Sequence, residues 1–305
     1  MSRLTEADFL AAFDAPAEDA ALFAAEVARH DFGYRRFDQA ERDALILSVL
    51  RKLGSFTQVG EHRHDIWEMA WADVARRYDD SDGDLSALEP SFIAGTPYLR
   101  LQGDYAAPVD PAFEFSFFRV LRQWLFRRYL GDTSHVYEFG CGSGFNLATL
   151  AQLAPDKHLI GLDWARPAVD LIDRVAARYG FALQGRRFDF FHPDAGFTFE
   201  PDAVAMTFCA LEQTGDRCPV FLEWLLERRP ALVISMEPVL DFYDPDSLVD
   251  ELAIRYHTGR GYLTGYLPWL RRQADAGRVE LLKARRLGLG SLYHEGYSLL
   301  VWRPV

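Results

Sequence analysis

The sequence predicts an α/β fold, a parallel sheet layered with helices, preceded by a helical N-terminal region. Two observations carry this. From residue 135 onward short β-type runs alternate with helical ones, and such alternation builds βαβ units on a parallel sheet. Before that point the apolar residues recur at helical spacing. The chain has 305 residues, almost half of them hydrophobic, which is enough for one large domain or two ordinary ones with a full core.

The N-terminal elements follow in order. Thr5 with Asp8 spells a capping box opening an Ala- and Phe-rich helix, and Asp38 with Glu41 repeats the signal before the apolar run at 44–47. Residues 65–78 place Ile66, Met69, Ala70 and Val74 at helical spacing, a stripe expected to be core packing. Residues 79–84 and 90–111, rich in acid, Gly and Pro, read as loop or linker. Another helix is expected over 110–130, with Gly131 as its stop. The division predicted is a helical region over 1–108, acting as a cap or lid or a dimerisation surface, and a catalytic domain over 109–305.

In the second region VYEFG, LIGLD, RRFDF, AVAMTF and LVISMEP are the expected strands, followed by VELLKARR and YSLLVWRP. The informative string is EFGCGSG, residues 138–144, between the first strand and its helix. Gly140, Gly142 and Gly144 let backbone approach a ligand closely. The GxGxG spacing puts Phe145 where a dinucleotide fingerprint wants Gly or Ala. Glu138 would sit badly beside a pyrophosphate and suits an amino group. Asp163 closes the second strand, where a carboxylate can accept bonds from ribose hydroxyls. An ordinary strand-to-helix turn and a dinucleotide site stay open as alternatives, since the latter shares the acidic second-strand tip.

These motifs resemble the class I S-adenosylmethionine (SAM)-dependent methyltransferases over about residues 135–305. The resemblance implies a Rossmann-like sheet, mostly parallel with an antiparallel last strand, and SAM as the cofactor. It implies that Glu138 and the loop Gly140, Cys141, Gly142 and Gly144 hold the methionyl part. Asp163 would bind ribose, Trp164 would pack on adenine, Asp189 with Phe190 would border the adenine edge, and Phe208 would complete the cofactor's contacts.

In an open parallel sheet ligands lie beyond the carboxyl ends of the strands. That rule gathers Glu212, Gln213, Glu237, Tyr293, His294 and Glu295 on the rim with Glu138, Asp163 and Asp189. An acid-rich rim favours a cationic ligand. Proton removal from a methyl acceptor falls to His294 or Glu212, a role worth roughly 100- to 10,000-fold in rate, although a lone His is more often structural. Tyr98, Arg100 and Tyr105, unusual in a spacer, are candidates for a lid or for pairing with a carboxylate.

Charge and composition narrow the partners. With 33 basic against 45 acidic residues the formal charge is −12, which argues against nucleic acid. No stretch approaches the about 18 to 20 apolar residues of a membrane span. Cys141, Cys209 and Cys218 have no metal-ligand spacing, so no metal is expected, and a cytoplasmic setting is. FCALEQ lacks the tetrapeptide of nucleobase amino-methyltransferases. The expectation is O- or N-methylation of a small molecule of natural-product or sugar type, by a possible homodimer. Two alternatives stand beside it: an enzyme for which SAM is itself the substrate, in the manner of azetidine-2-carboxylate synthases, and a catalytically silent SAM-binding scaffold.

Overall fold

A computed structural model describes residues 1–90 and 95–305. The N-terminal part runs β1 (Ser2–Arg3), α1 (Glu6–Phe13), α2 (Ala24–Val27), β2 (Gly33–Arg36), α3 (Gln39–Lys52), α4 (His64–Asp80), β3 (Leu99–Leu101) and β4 (Asp104–Pro108). The second part runs α5 (Phe113–Tyr129), β5 (His135–Phe139), α6 (Phe145–Leu153), β6 (His158–Asp163), α7 (Arg166–Tyr179), β7 (Leu183–Arg187), β8 (Val204–Phe208), α8 (Cys218–Arg228), β9 (Leu232–Glu237), α9 (Leu248–Arg260), α10 (Tyr266–Asp275), β10 (Val279–Arg286), β11 (Leu289–Gly290) and β12 (Ser298–Pro304).

Both expected capping boxes form. Thr5 caps α1 with Asp8 reaching back, and Asp38 caps α3 with Glu41 reaching back. The main sheet has the order β10-β12-β9-β8-β5-β6-β7. Strands β5 to β9 pair in parallel, and β12 runs antiparallel between β9 and β10. The order reverses at β5, which has β8 on one side and β6 on the other, so a crevice opens beyond the carboxyl end of β5.

The N-terminal region is not purely helical, which corrects the expectation. A second sheet of order β1-β2-β4-β3-β11 lies there. Its central hairpin is the stretch expected to be linker. Gln102 (φ 52°) and Gly103 (φ 82°) both take left-handed backbone, the requirement of a two-residue hairpin turn that matches strand twist. The flanking prolines suggested a spacer, and that turn signal outweighs them. Strand β11, from the far end of the chain, completes this sheet by pairing with β3.

The core does not divide at position 108. One apolar cluster joins Phe9, Phe13, Val74 and Leu99 with Phe117, Leu147, Met206 and Ile234. Phe13 stacks on Trp124 with centroids 4.9 Å apart, and Trp124 donates from Nε1 to buried Asp19 at 2.7 Å. Among the described residues no helix is long and apolar enough to cross a membrane.

Candidate active site

The carboxyl ends of β5, β6 and β8 border a cavity of about 440 Å³, within the roughly 300–1,000 Å³ of small-molecule sites. Its floor is the glycine loop. Gly140 and Cys141 donate from their backbone N–H groups to Leu162 O at 2.7 and 3.0 Å, which locks the loop to the neighbouring strand. Gly142 (φ 53°) tolerates no side chain: a Cβ there would stand 2.5 Å from the Trp71 ring. Gly144 (φ 73°) starts α6, and a Cβ there would collide with Ile172 Cδ1.

Glu138, the penultimate residue of β5, is almost wholly buried. Its Oε1 accepts from Asn146 Nδ2 at 2.7 Å, and Asn146 Oδ1 accepts in turn from Arg122 Nη1 at 3.1 Å. Its Oε2 is buried with no hydrogen-bond partner among the described residues. Burial pushes the Glu138 carboxyl up to about 8. Asp163, at the tip of β6, accepts from Gly142 N and Ala165 N, each at 2.9 Å. Burial outweighs those two bonds and lifts it to about 6. Trp164 follows, 5.8 Å from Phe191, and Phe188, Phe190 and Phe191 continue an aromatic wall along the cavity.

Beyond β8 the lining turns polar. Cys209 (φ 48°) occupies left-handed backbone that only the surrounding structure sustains. Glu212 lines the cavity; its Oε1 accepts from Gln213 Nε2 at 3.1 Å, and its Oε2 is buried without a partner among the described residues. Behind it Glu237 is fully buried and accepts from the backbone N–H groups of Ala210, Leu211 and Glu212 at 3.2–3.3 Å. Burial first, then the like charge of its partner, raises Glu237, and burial also raises Glu212. His294 lines the same end, its Nδ1 3.1 Å from His257 Nε2. Burial holds His257 down to about 3 and His294 well below the usual imidazole range, so both rings are neutral. Glu114, also lining the cavity, is raised by burial to about 7 and accepts from the Tyr297 hydroxyl at 3.3 Å.

The cavity therefore gathers Glu138, Gly140, Cys141, Gly142, Asp163, Trp164, Phe190, Phe208, Glu212, Gln213 and His294. Gly144 and Glu237 stand directly behind that lining. Asp189 borders a smaller depression on the other side of Trp164, its carboxylate accepting from Phe191 N at 2.8 Å and facing His192 Nδ1 at 3.1 Å.

Five expected rim or lid residues are elsewhere. Arg100 is fully buried and spends its guanidinium on Val249 O (2.6 Å), Leu292 O (3.4 Å) and the Tyr105 hydroxyl (3.1 Å). Tyr105 donates to Leu292 O at 3.2 Å in the same cluster, and Tyr98 packs 6.0 Å from Phe37. Tyr293 stacks on Tyr256 at 5.3 Å. Glu295 is buried in a double ion pair, 2.6 Å from Arg286, which also holds Asp250 at 2.6 Å. From this turn Ser291, His294 and Gly296 line the cavity, while Tyr293 and Glu295 are held by Tyr256 and Arg286.

Cover for the cavity comes instead from α4 and the residue before it, through Arg63, Trp67 and Trp71, and from Arg260 and Tyr262 at the end of α9. Of the expected stripe of α4 only Val74 is fully buried. Ile66 and Met69 are exposed, while Trp71, Val74, Ala75 and Tyr78 point inward. The Arg63–Trp67–Trp71 spacing of four residues was the available signal.

No family model matches this chain, and no curated protein matches it. Among solved structures, that of the [4+2]-cyclase SpnF is similar over 81% of this chain and 97% of its own, at 11% identity and a TM-score of 0.53. LaPhzM is similar at 18% identity and a TM-score of 0.43, over 64% of this chain; the match spans 59% of LaPhzM. The O-methyltransferase NcsB1 from neocarzinostatin biosynthesis, solved with SAM and 2-hydroxy-5-methyl naphthoic acid, is similar over 100% of this chain and 90% of its own, at 18% identity and a TM-score of 0.43. Strand order, the reversal at β5 and the antiparallel β12 give this chain the Rossmann-like fold of the class I SAM-dependent methyltransferases.

Proposed function

We propose that the chain is a SAM-dependent methyltransferase acting on an O–H or N–H group of a small molecule. One observation carries the reading: Glu138 Oε2, a buried acceptor with no partner among the described residues, stands beside a glycine loop that has no room for side chains. A buried unpaired carboxylate oxygen is costly, and an ammonium is the group that satisfies it best. The residues fit the rest of the cofactor as well. Asp163 keeps lone pairs free for ribose hydroxyls, and the Trp164–Phe190–Phe191 wall suits a flat base.

When bound, the cofactor supplies an electrophilic methyl group on a sulfonium. The chain's own part is to orient, desolvate and move a proton. Glu212 suits the proton acceptor, because its raised basicity brings it nearer the working pH. His294 does not. His257 Nδ1 is buried without a partner among the described residues, and an orphan acceptor costs less than an orphan N–H, so the proton of His257 sits on Nε2 and is donated to His294 Nδ1. His294 Nε2 then carries an N–H and serves as a hydrogen-bond donor. The acidic balance and the enclosing walls of the cavity favour a small acceptor over a polymer.

Incubation with SAM, with and without a panel of small hydroxylated and amino acceptors, tests this. S-adenosylhomocysteine formed only with an acceptor supports methyl transfer. Methylthioadenosine released from SAM alone would instead establish intramolecular cyclisation, and tight binding without turnover a silent subunit.

A further inference from the structure

Two guanidiniums border the cavity beside Gln213 and Tyr262, and among the described residues neither pairs with a carboxylate. Arg63, just before α4, donates from Nη1 to Gln213 Oε1 at 2.7 Å. Arg260, the last residue of α9, donates to Thr57 O and lies 3.5 Å from the Tyr262 hydroxyl. Among the described residues neither forms an ion pair, and the Nε of each is buried with no hydrogen-bond partner. Burial, and after it the charge of Arg260, disfavours the protonated form of Arg63, so the two cations feel each other. Burial raises the Glu212 and Glu237 carboxyls above the ordinary range and holds His294 well below the usual imidazole range, which favours the uncharged form of each. Both guanidiniums are half-buried, line the same cavity and, among the described residues, keep an unpartnered buried Nε.

We infer that Arg63 and Arg260 form a carboxylate-binding subsite that seats an anionic acceptor, a small organic acid whose apolar body rests on the neighbouring aromatic side chains. The word acceptor rests on the methyl-transfer reading; the subsite itself does not. Guanidinium N–H donors without a carboxylate partner at a half-buried site select planar carboxylates over neutral groups of the same shape.

The test uses calorimetry on the intact protein with S-adenosylhomocysteine bound, titrating benzoate against benzamide, its neutral analogue. The subsite predicts that benzoate binds about tenfold or more tightly than benzamide. Arg63→Gln removes that preference and leaves S-adenosylhomocysteine affinity unchanged, and Arg63→Lys restores part of it. Equal binding of the two probes, or binding of neither, overturns the inference. So does a parallel loss of S-adenosylhomocysteine affinity in Arg63→Gln, which would place the cofactor's own carboxylate on the pair. If the unaltered protein does not bind S-adenosylhomocysteine at all, the cofactor reading fails, and a benzoate preference in the ligand-free protein still supports the subsite.

Discussion

Single residues at this site are tuned against the stability of the ligand-free chain. Glu138 has a folded-state value of about 8 against an ordinary 4.5, so between these it is protonated when folded and ionised when unfolded. The unfolded chain then binds fewer protons, and the stability Glu138 contributes falls as pH rises through that window. Replacing it with Gln removes this penalty. Glu138→Gln is expected to melt higher than the parent at pH 8, with the difference vanishing near pH 4.5, in thermal scans without ligand. The same change is expected to weaken SAM by about 1.5–3 kcal/mol, the worth of a charge-assisted bond. Gly142→Ala is the opposite case. It combines a left-handed φ with a Trp71 ring in the way, so denaturant titration should show a loss of about 1–3 kcal/mol. At this scale the sequence was most legible where chemistry and backbone demand coincide, as in EFGCGSG and Asp163. It was least legible at Arg100 and Glu295, whose types suit a ligand site equally well but whose charges are spent on buried carbonyls and on Arg286.

Among the elements, α4 decides how the cavity is closed. Its inward face presents Trp67 and Trp71, with rings stacked at 5.8 Å, to the glycine loop. Adding S-adenosylhomocysteine should therefore slow amide exchange over residues 63–75. The β3–β4 hairpin, which carries the lid candidates of the sequence, should change far less because Leu99, Leu101 and Tyr105 are already buried. Unaltered exchange in α4 would contradict its role as cover. The helix itself was evident from its spacing, but its buried face was not. Ile66 and Met69 are the more apolar by type, while the aromatic stripe four residues apart buries more surface and prevails.

The whole molecule is held together by contacts that cross the expected boundary at 108. Strand β11 pairs with β3. Lys283, on β10, ties the chain's two ends together: its Nζ donates to Phe13 O at 3.0 Å and pairs with Asp14 Oδ2 at 3.2 Å. The shared apolar cluster spans both parts. Residues 109–305 alone would expose the faces that α1 and α4 cover, so this fragment is expected to show no cooperative melting transition. A fragment that folds and binds SAM would contradict that. The βαβ rhythm made the large sheet legible from sequence, since each strand and helix announces itself locally. The small sheet was not, because the two-residue strand that closes it comes from the far end of the chain and carries no local signal of its partner.

The central claim is that Glu138 receives the ammonium of SAM, and calorimetric titration with SAM at pH 7 in buffers of different ionisation enthalpy tests it most directly. Glu138 is largely protonated in the ligand-free protein at that pH and must ionise to pair with a cation, so binding should release about one proton, and Glu138→Gln should abolish the release. Binding of SAM with no proton released, or binding of a nicotinamide dinucleotide in its place, would contradict the account.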